Sequence, residues 1–298
     1  MAGVCAPPHR GWMERMEKIR TPLTALATVL TVTALVGAPA TVSEAGLRGT
    51  AATLDGISDT AGESWGGRSV RTVGKLVTDL GDGRMGVCSG AIVDAPSGSV
   101  IATAAHCIRS PEQPEEPVRA WFAPGYDHDG TSDARRTGWR VVSYHTPPGW
   151  DVSRELEEIL PHDYAFVTVA DRNGRTVQET HGANRLEFAP AADRLRVLPL
   201  GYSSAPPYDG ESLTYCAGTA ERLTAATAHR ANVGGILLEP CLLTRGASGG
   251  PWLRDYDADS GSGTVVGVMS VGSADSQVLG RPYPRAPGRA LFAEADRA

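Results

Sequence analysis

From residue 73 onward, the sequence alternates short apolar runs with turns rich in glycine, proline and aspartate. Runs of this length and of β-branched or aromatic content are typical of β-strands. The 35 glycines and 21 prolines leave little room for long helices, because both residues destabilise a helix interior. The pattern therefore predicts an all-β barrel or sandwich. The predicted strands are residues 73–77, 87–93, 100–105, 140–144, 164–169, 195–200, 235–238 and 264–271.

Three segments do not follow this strand pattern. Residues 152–159 fit a helical turn at the surface, and residues 290–297 fit a short C-terminal helix. Residues 41–68 are small, polar and glycine-rich, with no convincing periodicity. We expect a propeptide or a linker there. The remaining chain, residues 69–298, is predicted to form the folded domain.

The N-terminus has the composition of an export signal. Arg15, Lys18 and Arg20 precede an apolar stretch at residues 23–36, and small residues follow at Ala38-Pro39-Ala40. Because a membrane-spanning helix needs about 20 apolar residues, this stretch is too short to be one. Residues 1–40 are therefore predicted to be a signal peptide, and the protein is predicted to be secreted.

The charge balance argues against nucleic acid as a partner. The chain carries a net charge of −6, and the first 40 residues contribute a net +2, so the exported part is at −8. A protein of this charge is repelled by phosphates and anionic lipids. We expect a monomer that, once the signal is removed, contacts neither nucleic acid nor a membrane.

Four cysteines remain after the predicted signal. An even number in an exported chain indicates a disulfide framework, and four cysteines allow three connectivities. We predict the pairing that is local in sequence, Cys88–Cys107 and Cys216–Cys241. No C-x-x-C pair is present, so no metal site is expected.

Two short motifs carry the chemistry. Thr103-Ala104-Ala105-His106-Cys107 places a histidine at the end of an apolar run, and Gly246-Ala247-Ser248-Gly249-Gly250-Pro251 places a serine on a glycine-rich turn. A serine becomes a strong nucleophile when a neighbouring base takes its proton. Asp163, directly before a predicted strand, is the candidate acid; Asp151 and Asp171 do not have that position.

These motifs, in the order His, Asp, Ser, resemble those of secreted trypsin-like serine peptidases of the chymotrypsin fold, in a bacterial branch related to the glutamyl endopeptidases. The resemblance begins near residue 73 and reaches the C-terminus. It implies two six-stranded antiparallel β-barrels, residues 73–170 and 185–293, with the active site between them and a short C-terminal helix. It also implies the Cys88–Cys107 disulfide. Further matching segments are residues 87–93, 122–126 and 200–202.

The resemblance assigns a role to each candidate residue. Ser248 is the expected nucleophile, and His106 is the base that takes its proton and returns it to the leaving amine. Asp163 is expected to orient the imidazole. The backbone amides of Gly246 and Ser248 are expected to form the oxyanion hole. No cofactor is expected.

Ala247 departs from the pattern of the animal zymogens. There, an aspartate at this position pairs with a newly freed N-terminal amine, and an alanine cannot form that ion pair. Any control by a propeptide therefore has to work differently. Cleavage near Arg68 or Arg71 is our hypothesis.

The specificity pocket is expected to include Leu242 and the strand residues Ser270, Val271 and Gly272. Trypsins have an aspartate at the position of Leu242, so a preference for arginine or lysine is not predicted. Glutamyl endopeptidases have a histidine where this chain has Met269. An apolar or small substrate side chain is therefore favoured, while Arg245 and His229 leave an acidic one open.

Together these residues predict a secreted serine endopeptidase that acts on proteins or peptides through an acyl-enzyme. Two alternatives remain open at this stage. One is a non-catalytic binding protein with the same fold, and the other is a serine esterase that uses the same triad.

Overall fold

The computed structural model describes residues 56–126, 133–189, 191–272 and 275–298. In these ranges the chain forms two antiparallel β-barrels with short helices at their edges. The predicted signal peptide lies outside the described residues.

The strands are β1 (Thr60–Ser64), β2 (Val73–Gly81), β3 (Arg84–Ile92), β4 (Val100–Thr103), β5 (Arg119–Pro124), β6 (Trp139–His145), β7 (Ala165–Val169), β8 (Arg185–Leu186), β9 (Arg194–Gly201), β10 (Thr214–Arg222), β11 (Ile236–Leu238), β12 (Pro251–Asp257), β13 (Ser262–Gly272) and β14 (Val278–Arg281). The helices are α1 (Ala134–Thr137), α2 (Leu156–Ile159), α3 (Val177–His181) and α4 (Arg285–Ala295), with 3-10 turns at Ala105–Cys107, Leu160–His162 and Arg230–Asn232.

The N-terminal barrel closes in the strand order β2-β3-β4-β7-β6-β5. β4 and β7 are buried along their whole length, which is why their sequences read as continuous apolar runs. At the β2–β5 closure, a Cβ on Gly74 would lie 2.5 Å from the Phe122 ring. This close approach explains why a glycine interrupts the apolar run of β2.

The C-terminal barrel has the strand order β9-β10-β11-β14-β13-β12 and closes where Trp252 of β12 pairs with Pro199 of β9. Trp252 is fully buried in its apolar core, together with Val197, Ile236 and Met269. β1 adds an antiparallel strand to β10, and β8 pairs in parallel with β13.

The N-terminal barrel contacts the C-terminal half of the chain at two places. At the first, α4 packs against the N-terminal barrel, with the Phe292 and Phe166 rings 5.5 Å apart and the Thr168 hydroxyl donating to the Ala295 carbonyl at 2.9 Å. The second is a group of buried apolar residues that we call the seam cluster. It comprises Leu160, Leu223, Ala228, Ala231, Leu237, Val271 and Leu279.

The predicted two-barrel architecture with a C-terminal helix is confirmed. Each predicted strand overlaps an observed one, whereas β1, β5, β8, β10, β12 and β14 were not predicted. Several of these contain the residues that usually mark turns: β12 begins at Pro251, and β10 and β14 each contain a glycine. Helix α4 begins at Arg285, earlier than predicted, because a proline is tolerated in the first turn of a helix.

Both predicted disulfides are present. Cys88 and Cys107 have Cα atoms 6.1 Å apart, and the Cα atoms of Cys216 and Cys241 are 5.8 Å apart. None of the helices in the described ranges has the length and apolar content that a membrane span requires.

The described part of segment 41–68 contains strand β1, which no periodicity in the sequence indicates. Trp65 follows β1 and packs edge-on against the rings of Tyr215 and Tyr256, at 5.1 and 5.7 Å. This segment is therefore docked on the C-terminal barrel.

Candidate active site

His106 lies just beyond the apolar strand that was predicted to carry it. β4 ends at Thr103, and the 3-10 turn Ala105–Cys107 follows the extended residue Ala104. The Cys88–Cys107 disulfide ties this turn to β3. The imidazole is thereby fixed at the edge of the N-terminal barrel.

Asp163 uses both of its carboxylate oxygens on His106. It is fully buried and lies directly between the 3-10 turn Leu160–His162 and β7. Oδ1 accepts the backbone N–H of His106 at 2.9 Å, and Oδ2 lies 2.8 Å from the ring Nδ1. An ionised carboxylate can only accept, so Nδ1 carries the proton. Nε2 is then the unprotonated nitrogen that a general base requires.

Ser270 also binds this carboxylate. Its hydroxyl donates to Oδ2 of Asp163 at 2.5 Å. The sequence assigns Ser270 to the strand beside the substrate, and the structure adds that its side chain is buried against Asp163. The contact joins residues 107 positions apart, so no local pattern could indicate it.

Burial and the contact between Asp163 and His106 shift the pKa values of these two residues in opposite directions. Burial raises the pKa of Asp163, but the charge of His106 and the hydrogen bonds from His106 and Ser270 outweigh it, so the pKa is lowered. Burial lowers the pKa of His106, but the charge and hydrogen bond of Asp163 outweigh it, so that pKa is raised above 6.5. The result is an ionised carboxylate beside an imidazole of increased basicity.

Ser248 is half-buried on a tight turn that packs against the N-terminal barrel. Its carbonyl accepts the backbone N–H of Ser89 at 2.7 Å. A Cβ on the next residue, Gly249, would lie 2.2 Å from Oγ1 of Thr103 and 2.9 Å from the amide nitrogen of Ala104. The fold thus brings the backbone of Ser248 next to the segment that carries His106.

Two amides of this turn have no acceptor. Within the described residues, the N–H groups of Gly246 and Ser248 make no hydrogen bond, whereas the N–H of Ala247 between them donates to the Thr244 carbonyl at 3.1 Å. Gly246 has a φ of 93°, and its carbonyl is fixed by the Ser89 hydroxyl at 2.8 Å. Preorganised donors without a partner are what an oxyanion hole consists of.

Ala247 is fully buried in the apolar core of the C-terminal barrel. A Cβ on Gly201 would lie 2.6 Å from the Ala247 Cα, so the site has no room for a charged pair.

The expected specificity residues are divided between surface and core. Leu242 is 45% exposed, and its amide donates to the Ala61 carbonyl of β1 at 2.6 Å. Gly272 is exposed, and a Cβ on it would lie 3.2 Å from the Leu243 carbonyl. Val271, in contrast, is buried in the seam cluster.

His229 is engaged away from the serine turn. Its Nδ1 accepts the Ala231 amide at 3.4 Å, and its Nε2 lies 3.8 Å from a carboxylate oxygen of Glu157. Arg245 is exposed beside Gly246.

The described residues contain one cluster of potential metal ligands, Cys88, His106 and Cys107. Both cysteine sulfurs are in the disulfide, and a metal requires thiolates. The cluster therefore does not fit a metal ion.

The comparisons with known proteins agree with this geometry. Residues 88–268 match the model of the trypsin-like peptidase domain. The protease Anisep from Arthrobacter nicotinovorans is 28% identical, with a TM-score of 0.66 over 80% of this chain and 100% of its own. The thermostable serine protease AL20 from an extremophilic microorganism is 25% identical, with a TM-score of 0.64 over 77% of this chain and 98% of its own.

A third structure, a Glu endopeptidase, shares the fold at 16% identity, with a TM-score of 0.58 over 81% of this chain and 99% of its own. No curated protein sequence matches the chain. The family model covers more than half of the sequence, and the two-barrel fold is that of these proteases. The chain belongs to the trypsin-like peptidase family.

Proposed function

We propose that the protein is a serine endopeptidase that hydrolyses peptide bonds through an acyl-enzyme on Ser248. His106 takes the proton of the Ser248 hydroxyl as Oγ attacks the scissile carbonyl carbon, and then delivers it to the leaving amine. Water next attacks the acyl-enzyme, again with His106 as base, which releases the acid and regenerates Ser248. Asp163 fixes the tautomer of His106 and stabilises the imidazolium. The Gly246 and Ser248 amides hold the oxyanion.

The observation that carries the proposal is the buried pair of His106 and Asp163. The carboxylate contacts both the backbone amide and the ring of the same histidine, which fixes the position and the protonation of the imidazole together. A histidine buried only for packing has no need of this second contact. The acceptor-free amides beside Ser248 supply the remaining part of the machinery.

The test is intact-mass analysis after treatment with a serine-directed fluorophosphonate. We expect one adduct on the wild type and none on Ser248→Ala, whose kcat falls by roughly 10⁶-fold. Ser260→Ala, in an exposed hairpin loop, is the control and keeps the adduct. Absence of an adduct on folded wild-type protein would favour the non-catalytic binding protein.

For the substrate, we infer a small or apolar side chain before the scissile bond. The support is the exposure of Leu242 and Gly272, and the position of His229, which lies near Glu157. A library of matched peptide and ester substrates tests both specificity and reaction class. Cleavage of the esters alone would favour the esterase, and preference for glutamate would contradict the inferred pocket.

We also infer that the protein is exported, because its two disulfides persist in an oxidising compartment. Cleavage near Arg68 or Arg71 remains our hypothesis for its activation. Such a cut would leave β1 attached through its pairing with β10 rather than through the chain. N-terminal sequencing of the secreted protein decides this, and a single start near Thr41 would contradict the cleavage.

A further inference from the structure

Arg281, the last residue of β14, is a buried cation that forms no ion pair within 4.0 Å among the described residues. The described residues bury two side chains of permanent positive charge, Lys75 and Arg281. Lys75 lies 3.3 Å from a carboxylate oxygen of Glu211. Arg281 is 2% exposed, and no carboxylate oxygen of the described residues lies within 4.0 Å of its guanidinium. Burying an uncompensated charge is costly, so this arginine calls for a functional explanation.

The guanidinium binds the backbone of a neighbouring turn. Its terminal nitrogens donate to the carbonyls of Ala231 and Val233, at the end of the 3-10 turn Arg230–Asn232. That turn packs against the 3-10 turn Leu160–His162, which leads directly into Asp163. Leu160 and Ala231 share the seam cluster. Arg281 therefore fixes the surface on which the Asp163 segment rests.

The charge of Arg281 also acts on the triad carboxylate. Burial lowers the pKa of Arg281 to about 10, and the negative charge of Asp163 opposes that effect. Arg281 is therefore cationic at neutral pH. Burial, Arg154 and Arg281 lower the pKa of His162, so that this neighbouring imidazole is neutral at pH 7.

The other titratable groups around the pair do not replace this cation. Burial raises the pKa of Tyr164 to about 12 and that of Tyr283 well above 10, so both phenols are neutral. Glu112 acts on His106 with a negative charge. Apart from His106 itself, Arg281 is thus the cation among the described groups whose charge interacts with that of Asp163.

We propose that Arg281 is a positioning residue for the triad. Its donors hold the turn that supports Asp163, and its charge keeps the carboxylate ionised while opposing protonation of His106. This inference rests on the proposed function, because it assigns a role within the same site. A neutral residue at this position would leave a more basic histidine on a less firmly held carboxylate.

The experiment compares the pH profile of kcat/KM for the wild type, Arg281→Gln and Arg281→Lys, with an apolar peptide substrate between pH 5 and 9. The glutamine keeps a donor and removes the charge. We expect its acid limb to move to higher pH by up to about one unit, the scale of a single charge that acts across several ångströms of protein. The sign follows because the base acts in its neutral form, and loss of a nearby cation makes protonation easier.

The lysine variant separates charge from geometry. It keeps the charge, so we expect the acid limb of the wild type, but a single ammonium cannot reproduce the planar fork. The kcat should therefore fall about tenfold with KM unchanged. Arg285→Met removes an exposed arginine from the start of α4 and is the charge-matched control, with no change in limb or kcat.

An acid limb of folded Arg281→Gln at the wild-type pH would overturn the proposal. If Arg281→Gln does not fold, the lysine variant decides: unchanged kcat there would overturn it, and a lowered kcat with the wild-type limb would support it. Fluorophosphonate labelling of the wild type distinguishes failure of the proposed function from failure of the role proposed for Arg281. An unlabelled wild type contradicts the proposed function, whereas a labelled wild type with an unshifted variant contradicts only the role of Arg281.

Discussion

The N-terminal barrel presents His106 and Asp163 with their polar atoms paired, whereas the C-terminal barrel presents two backbone amides without acceptors. Asp163 is fully buried and accepts three hydrogen bonds, two from His106 and one from Ser270. Ser248 is half-buried, on a turn where Gly246 and Gly249 have positive φ. The carboxylate of Asp163 has all its hydrogen-bond partners, and we call this part of the site the saturated side. The amides of Gly246 and Ser248 have no acceptor in the described part of the chain, and we call their part the open side.

The two sides differ because the base and the oxyanion donors act at different stages of the reaction. A base has to hold one tautomer before the substrate arrives, so its partners are present in the resting structure. An oxyanion exists only during the reaction, so its donors have to wait unpaired. Glycines at positive φ allow the backbone to maintain that arrangement without a side chain in the way.

On the saturated side, Asp163→Asn should reduce kcat more than any of the substitutions discussed below. The amide nitrogen of asparagine would face a donor, either the His106 amide or the ring N–H and the Ser270 hydroxyl. The ring then adopts the tautomer that carries its proton on Nε2, which cannot accept the serine proton. We expect kcat to fall about 10⁴-fold, the usual cost of this substitution in a serine-peptidase triad.

Asp151→Asn is the matched control for that substitution. Asp151 is exposed, and its carboxylate binds the amide and hydroxyl of Ser153 on the same turn. Its kcat should stay within about twofold of the wild type, as for most exposed sites. A comparable loss in both variants, or a full rate in Asp163→Asn, would contradict the assignment of the triad acid.

The same contrast explains what the sequence could predict. β4 and β7, which lie next to His106 and Asp163, are continuous and mostly apolar runs, so the segments that hold these two residues can be recognised from composition and order. The partners of those residues are not, because Ser270 and Arg281 reach them across a long stretch of chain. β1 and β14 escaped prediction because short strands with glycine or polar residues take their stability from the neighbours they pair with.

The open side is tested by Gly246→Ala. A Cβ at this position would lie 2.4 Å from the Tyr202 carbonyl oxygen, and the φ of 93° is strained for alanine. The turn has to shift, which moves one of the two amides from the oxyanion. We expect kcat to fall by about 10² to 10³ with KM little changed, as for the loss of one oxyanion donor.

Gly174→Ala controls for strain alone. Gly174 also has a positive φ, 72°, but a Cβ there would meet nothing within 4 Å. Its thermal midpoint should fall modestly while kcat stays at the wild-type value. Equal kcat values in Gly246→Ala and the wild type would show that this amide does not contribute.

The smallest effect is expected at the edge of the open side, where β1 supports Leu242. The Ala61 carbonyl accepts the Leu242 amide, and a Cβ on Gly62 would lie 2.5 Å from the Tyr208 hydroxyl and 3.2 Å from the Leu242 Cβ. Gly62→Ala should therefore displace β1 from Leu242. The turn itself keeps its other contacts, since the Thr244 amide donates to the Ser203 hydroxyl and the Cys216–Cys241 disulfide remains.

We therefore expect Gly62→Ala to raise KM for peptides up to about tenfold, the scale of one backbone hydrogen bond, with kcat and the fluorophosphonate rate nearly unchanged. Gly66→Ala, four residues further along, has open space around its Cβ and should match the wild type in both parameters. A fall in kcat equal to the rise in KM would mean that β1 also holds the oxyanion amides. In that case β1 helps to position the oxyanion amides on the open side, and its role is in catalysis rather than in the substrate pocket alone.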